Sequence, residues 1–275
     1  MSENRSDKEL AFLHDLYVAT DWGERFAELF DAHVKLPKKG RALYVGSGTG
    51  GHALKLAERA GEGVTLVGVD EHAARVEISR AKAAAVKLHG QTEFHAAQLE
   101  ALDFEDEQFD VIVCDASLIP PERLPEVVAE LLRVAAPGAT VSLSLATASS
   151  YGEFFSLYWE ALLDAELADE APLVAELISR LPVVSDVTQL AEREGLESVQ
   201  FWTNVEEFHY ATAEEFLSAP LVRDFLLRDW LEPLPDEDAR TRAVAALAPL
   251  IDEERNEADF ILSIKATLVA GRKTS

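Results

Sequence analysis

The sequence predicts an α/β fold: a seven-stranded, mostly parallel sheet with helices on both faces and a helical insertion between the last two strands. Three observations lead to this prediction. Short apolar runs rich in valine, isoleucine and leucine alternate with amphipathic stretches, which is the pattern of buried parallel strands and the helices that cover them. A glycine-rich turn joins the first of these runs to the next helix. Near the C-terminus, helical stretches separate two further apolar runs.

The elements follow in a regular order. Apolar positions at helical spacing predict two N-terminal helices over residues 7–18 and 22–33, and Pro37 and Gly40 end that pattern. Five strands are then predicted at ALYVG, VTLVGVD, TEFHAA, FDVIVCD and TVSLSLATA, with the helices HALKLAERA, HAARVEISRAKAAAVKL and LPEVVAELLRVA among them. The second half predicts helices over 152–180 and 184–194, a long strand over 198–210, three short helices over 213–254 and a last strand over 258–271.

This order predicts three parts of the chain. They are N-terminal helices over residues 1–36, a sheet-bearing domain over 37–210 and 257–275, and a helical insertion over 211–256. Ordered insertions of this size are usually functional, so we expect this one to cap a ligand pocket. Its apolar positions suit both such a lid and plain packing on the sheet: Phe216, Leu221, Phe225 and Trp230.

The composition excludes several classes of function. Fifty acidic residues against 25 basic ones give a net charge of −25, and so acidic a surface repels a nucleic-acid backbone. The polar N-terminus lacks an apolar secretory segment, and no apolar run is long enough to span a membrane. We therefore expect a cytoplasmic protein that binds neither nucleic acid nor membrane. Because Cys114 is the single cysteine and the histidines lack metal-ligand spacing, we expect no disulfide framework and no metal.

The central motif is the turn GSGTGG over residues 46–51, which follows the first strand. Glycine lets the backbone turn sharply and lets a ligand approach closely, while the amides at the start of the next helix favour an anionic group. Two spacings are present. Gly46, Gly48 and Gly51 match the dinucleotide fingerprint G-x-G-x-x-G, whereas Gly46, Gly48 and Gly50 match G-x-G-x-G.

Asp70 strengthens the interpretation of the turn as a ligand site. It closes the second predicted strand, LVGVD, at the distance from the glycines where a carboxylate accepts hydrogen bonds from ribose hydroxyls. An aspartate at this position can also cap the helix that follows, and the two roles are compatible.

Three later segments distinguish between the two glycine spacings. They are FDVIV over residues 109–113, LLRVAAPG over 131–138 and ALDF over 101–104. In combination with the turn, these segments resemble the class I S-adenosylmethionine-dependent methyltransferases, in which an FD-x-V-x strand and a helix running into L-x-P-G-G mark the fourth and fifth strands. The resemblance covers residues 20–148. It implies a Rossmann-like fold and S-adenosylmethionine as the cofactor.

The resemblance also implies a role for each residue around the cofactor. The methionine part would be cradled by Gly46, Ser47, Gly48 and Gly50, and the ribose would be held by Asp70. The adenine would lie beside Glu71, His72, Gln98 and Leu99. The sulfonium would lie above Asp115 and Ala116. Two of the implied cofactor-binding positions depart from the family pattern. Tyr44 stands where an Asp or Glu usually helps to hold the cofactor's amino group, a task that Asp115 could take over. Gln98 replaces a usual Asp, although its amide oxygen can still accept from the adenine amine.

The catalytic groups are harder to identify, because methyl transfer needs mainly in-line placement and, for a protonated nucleophile, a base. Three candidates arise: Asp115 after the fourth strand, Tyr151 in a polar-aromatic loop after the fifth, and His209 late in the strand 198–210. Each also has a purely structural interpretation. Asp115 can belong to the loop that starts the next helix, Tyr151 can pack in a helical core, and His209 can be an ordinary strand residue.

The leading hypothesis is a methyltransferase that acts on a small or medium-sized, partly apolar molecule. The departures at Tyr44 and Gln98 favour a second one, a non-catalytic relative that works through a partner. The dinucleotide spacing leaves a nucleotide-cofactor oxidoreductase as a third.

Overall fold

The computed structural model describes residues 5–254 and 258–274 of the chain. Seven strands occur in these residues: β1 (Gly40–Val45), β2 (Val64–Asp70), β3 (Thr92–Ala96), β4 (Phe109–Asp115), β5 (Ala135–Ala146), β6 (Leu196–Tyr210) and β7 (Phe260–Lys273). They form one sheet in the order β3-β2-β1-β4-β5-β7-β6. The predicted fold class is confirmed, including the helical insertion between the last two strands.

The helices lie between and before these strands. They are α1 (Asp7–Leu13), α2 (Gly23–His33), α3 (Gly51–Ala60), α4 (Ala73–Ala85), α5 (Leu124–Val134), α6 (Gly152–Asp164), α7 (Pro172–Arg180), α8 (Val184–Arg193), α9 (Ala213–Ser218), α10 (Leu227–Leu231) and α11 (Glu237–Glu254). Single 3₁₀ turns occur at Pro121–Arg123 and Ala168–Glu170, and π-helical segments at His14–Trp22 and Leu221–Leu226. No helix in the described part of the chain is both long and apolar enough to cross a membrane.

The five strands β3, β2, β1, β4 and β5 pair in parallel, so their carboxyl ends lie at one edge of the sheet. β1, β2 and β4 are buried over almost their whole length, which explains why they read as unbroken apolar runs. β7 is antiparallel to β6, since Thr203 lies beside Thr267 while Glu197 lies beside Gly271. After β3 the chain crosses β2 and β1 to form β4. The strand order therefore reverses beside β1, where sheets of this kind bind ligands.

The chain divides into two compact units. Of the described residues, the sheet unit contains 5–145, 183–203 and 266–274, and the helical unit contains 146–182, 204–254 and 258–265. In the sheet unit, buried side chains such as Val45, Ile112 and Leu143 form a continuous apolar core. The functional division predicted from the sequence, with 211–256 as a cap, stays a prediction.

The helical unit has an aromatic core of its own. The Phe154 ring on α6 lies 4.4 Å from Trp230 and 6.0 Å from Phe216, measured between ring centroids. Phe216 also packs edge-on against Phe260 at the start of β7, 4.9 Å away. These apolar positions of the insertion are therefore buried within the unit. The prediction of three short helices differs from the structure at its end, where α11 extends over 18 residues and includes Pro249.

The N-terminal helices are continuous, although the sequence predicts two separate ones. The segment His14–Trp22 joins α1 to α2 in π-helical geometry, and the Gly23 amide donates to the Val18 carbonyl across the expected gap. Val18 and Trp22 are both buried on this segment, so tertiary packing holds the run together. The segment consequently places His14 beside Gly48 and Asp15 beside Thr49.

Candidate functional site

The glycine-rich turn connects β1 to α3 at the point where the strand order reverses. Gly46, Gly48 and Gly50 have φ angles of 68°, 54° and 78°, a region that side chains with a Cβ rarely adopt. The Ser47 amide donates to the Val69 carbonyl at 2.9 Å, which fixes the turn against β2. The glycines are thus required by the backbone conformation itself.

Protein groups approach each of these glycines closely. A Cβ at Gly46 would lie 2.3 Å from the Asp115 carbonyl oxygen, and one at Gly48 would lie 2.7 Å from Cε1 of His14. A Cβ at Gly50 would meet Ser79 at 2.9 Å. The turn is therefore packed between β4, the N-terminal π-helical segment and α4. The close approach that the sequence suggests at Gly48 is made by His14.

Asp70 is buried at the carboxyl end of β2 and bridges the turn and α4. Its Oδ2 accepts from the Gly48 amide at 3.0 Å, and its Oδ1 accepts from the His72 amide at 2.9 Å. Burial opposes ionisation, but hydrogen bonding from His72 and the positive charge of Arg75 outweigh it and lower the pKa of Asp70. Asp70 is consequently an anion with lone pairs left for further donors.

A charged network lines the neighbouring rim, at the ends of β2 and β3. Arg123 donates to both carboxylate oxygens of Glu71, at 3.0 and 2.5 Å, and also pairs with Glu100. Leu99 is buried, whereas Gln98 is exposed. The structure thus places the residues predicted for the adenine along one rim, with Glu71 fixed by Arg123.

The loop after β4 is held by the N-terminal segment. The Ser117 amide donates to Oδ1 of Asp115 at 3.0 Å, and the Ala116 amide donates to the Ser144 carbonyl at 2.8 Å. Nε1 of the buried Trp22 donates to the Ser117 hydroxyl at 2.8 Å. Burial, and to a lesser extent the charge of Asp70, raise the pKa of Asp115. Asp70 and Asp115 lie at the same edge of the sheet, but the pKa of Asp70 is lowered and that of Asp115 is raised.

Tyr44 is buried on β1 and points toward α3. Its hydroxyl lies 3.0 Å from Nδ1 of His52, and Nε2 of His52 lies 3.0 Å from Oδ1 of Asp31 on α2. Burial, together with the charge of Asp115, raises the pKa of Tyr44 well above its ordinary value. The residue that departs from the expected carboxylate is therefore a neutral phenol in a defined hydrogen-bonded chain.

Solved structures share this fold. The YcgJ protein of Bacillus subtilis is 19% identical with a TM-score of 0.60, and the match covers 92% of this chain and 99% of that one. Phosphoethanolamine N-methyltransferase 2 of Haemonchus contortus, in complex with phosphomonomethylethanolamine and S-adenosylhomocysteine, is 16% identical with a TM-score of 0.58. That match covers 99% of this chain and 59% of the other. At these sequence identities, the structural similarity establishes the fold alone.

The family model described as a methyltransferase domain matches residues 42–138, which contain the turn, Asp70 and Asp115. Residues 42–138 therefore carry a methyltransferase domain. A ubiquinone/menaquinone biosynthesis C-methyltransferase of Geotalea daltonii is 32% identical over 39% of this chain and 46% of its own length. A demethylmenaquinone methyltransferase of Bacillus cereus is 28% identical over 58% of this chain and 71% of its own length. The chain spans about half the length of the first relative and of a second with the same name from Geobacter sulfurreducens.

Two buried hydroxyls of the described residues, one in the turn and one on β5, are unsatisfied. Among the described residues, Oγ of Ser47 in the turn and Oγ of Ser144 on β5 have no hydrogen-bond partner. Ser47 is buried beside the start of α3, and no side chain caps that helix. An unmet buried hydroxyl costs free energy unless a ligand or water bonds to it. The turn therefore fits a ligand that carries polar groups, as the methionine part of S-adenosylmethionine does.

Sequence reasoning missed the contribution of the N-terminal segment to the methyltransferase domain. Asp15 accepts from the Thr49 hydroxyl at 2.6 Å and pairs with Lys82 on α4, so it bridges the turn and that helix. His14 is only 8% exposed beside Gly48. A buried histidine and a paired aspartate within a helical stretch carry no local signal of their partners, which lie more than thirty residues away.

Two of the catalytic candidates lie in the helical unit and one in the methyltransferase domain. Tyr151 is buried and packs edge-on against Trp230 at 5.0 Å, and burial raises its pKa. His209 is half-exposed on β6, with Nδ1 3.6 Å from Asp259. Asp115 lies at the end of β4, beside the turn. All three assignments stay predictions, and Asp115 is the one adjacent to the predicted cofactor residues.

We expect His14 to make the folded protein sensitive to acid. Burial, with the charge of Arg75, lowers the pKa of His14 to about 3, whereas an unfolded chain has a histidine pKa of about 6.5. Between these values the unfolded chain binds a proton that the folded chain does not, so the free energy of unfolding falls as the pH falls. From pH 7 to pH 5 wild type should lose about 1–2 kcal/mol more than His14→Asn.

Urea unfolding at both pH values measures this difference. The matched control is His89→Asn, at an exposed histidine, which should keep the wild-type loss. Equal losses in wild type and His14→Asn would show that His14 does not stay neutral in the folded protein.

Proposed function

We propose that this protein transfers a methyl group from S-adenosylmethionine to a small or medium-sized, partly apolar acceptor. The observation that carries the proposal is the junction of the glycine turn with Asp70, through the 3.0 Å bond from the Gly48 amide, inside a methyltransferase domain. At this junction the amides at the start of α3 can bind the carboxylate of the cofactor's methionine part, and the buried Asp70 can accept hydrogen bonds from its ribose hydroxyls.

When bound, the cofactor supplies an electrophilic methyl group on a positively charged sulfonium. Asp70 would accept from the ribose hydroxyls, since its pKa keeps it ionised and its oxygens are already oriented by Gly48 and His72. The Ser47 hydroxyl and the first amides of α3 would bond to the carboxylate of the methionine part. Glu71, Gln98 and Leu99 would line the adenine.

We propose that Asp115 is the general base that removes a proton from the acceptor. Burial raises its pKa, which brings the carboxylate closer to the pH at which a general base works best. The Ser117 amide orients one of its oxygens, and Trp22 orients Ser117 in turn. A nucleophile without a proton would need only the placement that this loop provides.

The acceptor class follows from the charge and from the relatives. A net charge of −25 disfavours anionic acceptors. The relatives carry names from ubiquinone and menaquinone biosynthesis, and demethylmenaquinone is named for one of them. We therefore expect an uncharged, ring-containing acceptor of this kind to be preferred over a phosphorylated amine.

Transfer of labelled methyl from S-adenosylmethionine tests this function. A short-chain demethylmenaquinone and phosphoethanolamine serve as acceptors, and Asp115→Asn is compared with Asp110→Asn, a variant at the opposite end of the same strand. We expect label in the quinone and little in the amine, with a loss of at least tenfold in Asp115→Asn alone. No transfer to any uncharged acceptor in the presence of bound cofactor would contradict the proposal.

A second candidate is a protein with this fold that binds the cofactor without transferring its methyl group. The observation that favours it is the Tyr44 phenol in place of a carboxylate. A solved structure named as a [4+2]-cyclase shares the fold, with a TM-score of 0.54 and 17% identity. Tight cofactor binding without transfer to any acceptor would favour this candidate.

We also propose that residues 211–256 cap the acceptor pocket. The insertion is flanked by β6 and β7, which pair as neighbours, so its two ends lie close together. A cap should exchange its amide hydrogens more slowly when cofactor and acceptor are both bound, because closure excludes water. Hydrogen exchange followed by mass spectrometry measures this, with α8 as the internal reference. Unchanged exchange in 211–256 would leave these helices as packing elements.

A further inference from the structure

Ser144 on β5 carries a buried hydroxyl whose hydrogen-bonding capacity is unused. Its side chain is fully buried, and among the described residues its Oγ has no hydrogen-bond partner. Ser142 lies two residues earlier on the same face of β5 and shows the usual arrangement, because its Oγ donates to the Ile112 carbonyl at 2.9 Å. An unsatisfied buried hydroxyl destabilises a folded protein, so the one on Ser144 calls for an explanation.

The register of the sheet places Ser144 beside Asp115. The two residues are partners across β4 and β5, which pair in parallel, so their side chains project from the same face of the sheet. Leu143 and Leu145 project from the opposite face, where they belong to the apolar core. Neighbouring strands lie about 4.8 Å apart. A rotation of the Ser144 side chain about its Cα–Cβ bond therefore brings Oγ within hydrogen-bond reach of the Asp115 carboxylate.

Asp115 has few donors around it for a partly buried carboxylate. Its hydrogen bonds come from Ser117, whose amide donates to Oδ1 at 3.0 Å. Burial and the negative charge of Asp70 on β2 outweigh these bonds and raise the pKa of Asp115. Burial also raises the pKa values of Tyr44 on β1 and of Cys114 on β4, so these two titratable neighbours are neutral. Ionisation of Asp115 therefore creates an anion that needs a further donor.

We propose that Ser144 is a positioning residue for Asp115, and that its hydroxyl donates a hydrogen bond to the Asp115 carboxylate when that group ionises. The inference rests on the proposed function, because it concerns the residue assigned there as the general base. In each turnover Asp115 begins as the anion bonded to Ser144, takes one proton from the acceptor and becomes neutral. The Ser144 hydroxyl keeps its own hydrogen throughout.

This role accounts for the unsatisfied hydroxyl. While Asp115 is protonated, the Ser144 hydroxyl lacks a partner and destabilises the protein. When Asp115 ionises, the hydroxyl gains an anionic acceptor, and hydrogen bonds to charged groups are the stronger ones. Ser144 therefore favours the ionised form of Asp115 over the protonated form. A serine that only fills space on β5 would not change this balance.

Carbon-13 NMR titration of the aspartate carboxyl groups in the ligand-free protein tests the role of Ser144, with Asp115→Asn identifying the Asp115 resonance. We expect the pKa of Asp115 to be about one pH unit higher in Ser144→Ala than in wild type, so the acid is about tenfold weaker, because a hydrogen bond to a charged group is lost. Ser144→Cys, which has a weak donor of similar size, should also raise this pKa. Ser144→Thr keeps the hydroxyl and should restore the wild-type value.

The matched control is Ser142→Ala, which removes a satisfied hydroxyl from the same face of β5. It should lower the free energy of unfolding, measured in urea, and leave the pKa of Asp115 unchanged. Ser144→Ala should be at least as stable as wild type at a pH where Asp115 is protonated, because it removes an unsatisfied group. An unchanged pKa of Asp115 in Ser144→Ala and Ser144→Cys would overturn the inference, and so would an equal rise in Ser142→Ala.

Methyl transfer provides a separate measurement for the proposed function. If Ser144→Ala raises the pKa of Asp115 but wild type methylates no acceptor, the proposed function fails while the hydrogen bond between Ser144 and Asp115 is supported. If transfer depends on Asp115 but its pKa is the same in Ser144→Ala as in wild type, the inference fails and the proposed function remains. The two failures are therefore distinguishable.

Discussion

Replacing Gly48 by valine is expected to abolish binding of S-adenosylhomocysteine, with a loss of at least a hundredfold, while the circular dichroism spectrum stays near wild type. Gly48 has φ 54°, and an added Cβ would lie 2.7 Å from the His14 ring. A valine must therefore displace either the turn or the N-terminal segment. Both changes move the amide that donates to Asp70, so the carboxylate loses its orientation.

Gly61→Val is the matched control for this variant. Gly61 follows α3 with φ 74°, and nothing lies within 4 Å of a Cβ built there. Valine at this position also introduces backbone strain at a positive φ, without touching the turn, so the control should lose stability and keep its affinity. Full affinity in a folded Gly48→Val protein would show that the turn has no role in binding the cofactor.

Replacing Asp70 by alanine is expected to weaken the binding of S-adenosylhomocysteine by about 1–3 kcal/mol, which is the cost of leaving hydrogen-bonding groups without partners. The variant removes the acceptor for the ribose and also frees the Gly48 and His72 amides. Isothermal calorimetry measures the affinity, and Glu93→Ala, at an exposed carboxylate on the neighbouring strand β3, serves as the control. An unchanged affinity in folded Asp70→Ala would falsify the assignment of Asp70 to the ribose.

The fold and the centre of the site could be predicted because their signals are local. Unbroken apolar runs such as β4 identify buried parallel strands, and the turn after β1 requires glycines wherever φ is positive. Asp70 follows from its position at the end of β2, since parallel strands bring their carboxyl ends to one edge. These features need only the sequence of one strand–helix unit.

The remaining parts of the site depend on contacts between distant residues. Trp22 reaches Ser117 across 95 residues, and Asp15 reaches Lys82 across 67. Helical periodicity predicts that positions such as Trp22 are buried but not against which loop. The π-helical geometry that joins α1 to α2 has no sequence signature, so the continuous N-terminal run could not be foreseen.

The contacts from Tyr44 to His52 and from His52 to Asp31 show the same limit. Tyr44 looks in sequence like a lost carboxylate, which favours a protein without catalytic activity. Only the structure shows that its hydroxyl lies 3.0 Å from Nδ1 of His52, whose Nε2 lies 3.0 Å from Oδ1 of Asp31. The partners of a residue that departs from a motif can therefore lie on neighbouring helices, where the sequence does not reveal them.

We propose that the turn, Asp70 and the start of α3 together bind S-adenosylmethionine. Titration calorimetry of the wild-type protein with S-adenosylhomocysteine and, separately, with NAD tests it most directly. We predict one S-adenosylhomocysteine site per chain with micromolar affinity and no measurable heat from NAD. Saturable binding of NAD with no binding of S-adenosylhomocysteine would overturn this assignment and favour the dinucleotide fingerprint of Gly46, Gly48 and Gly51.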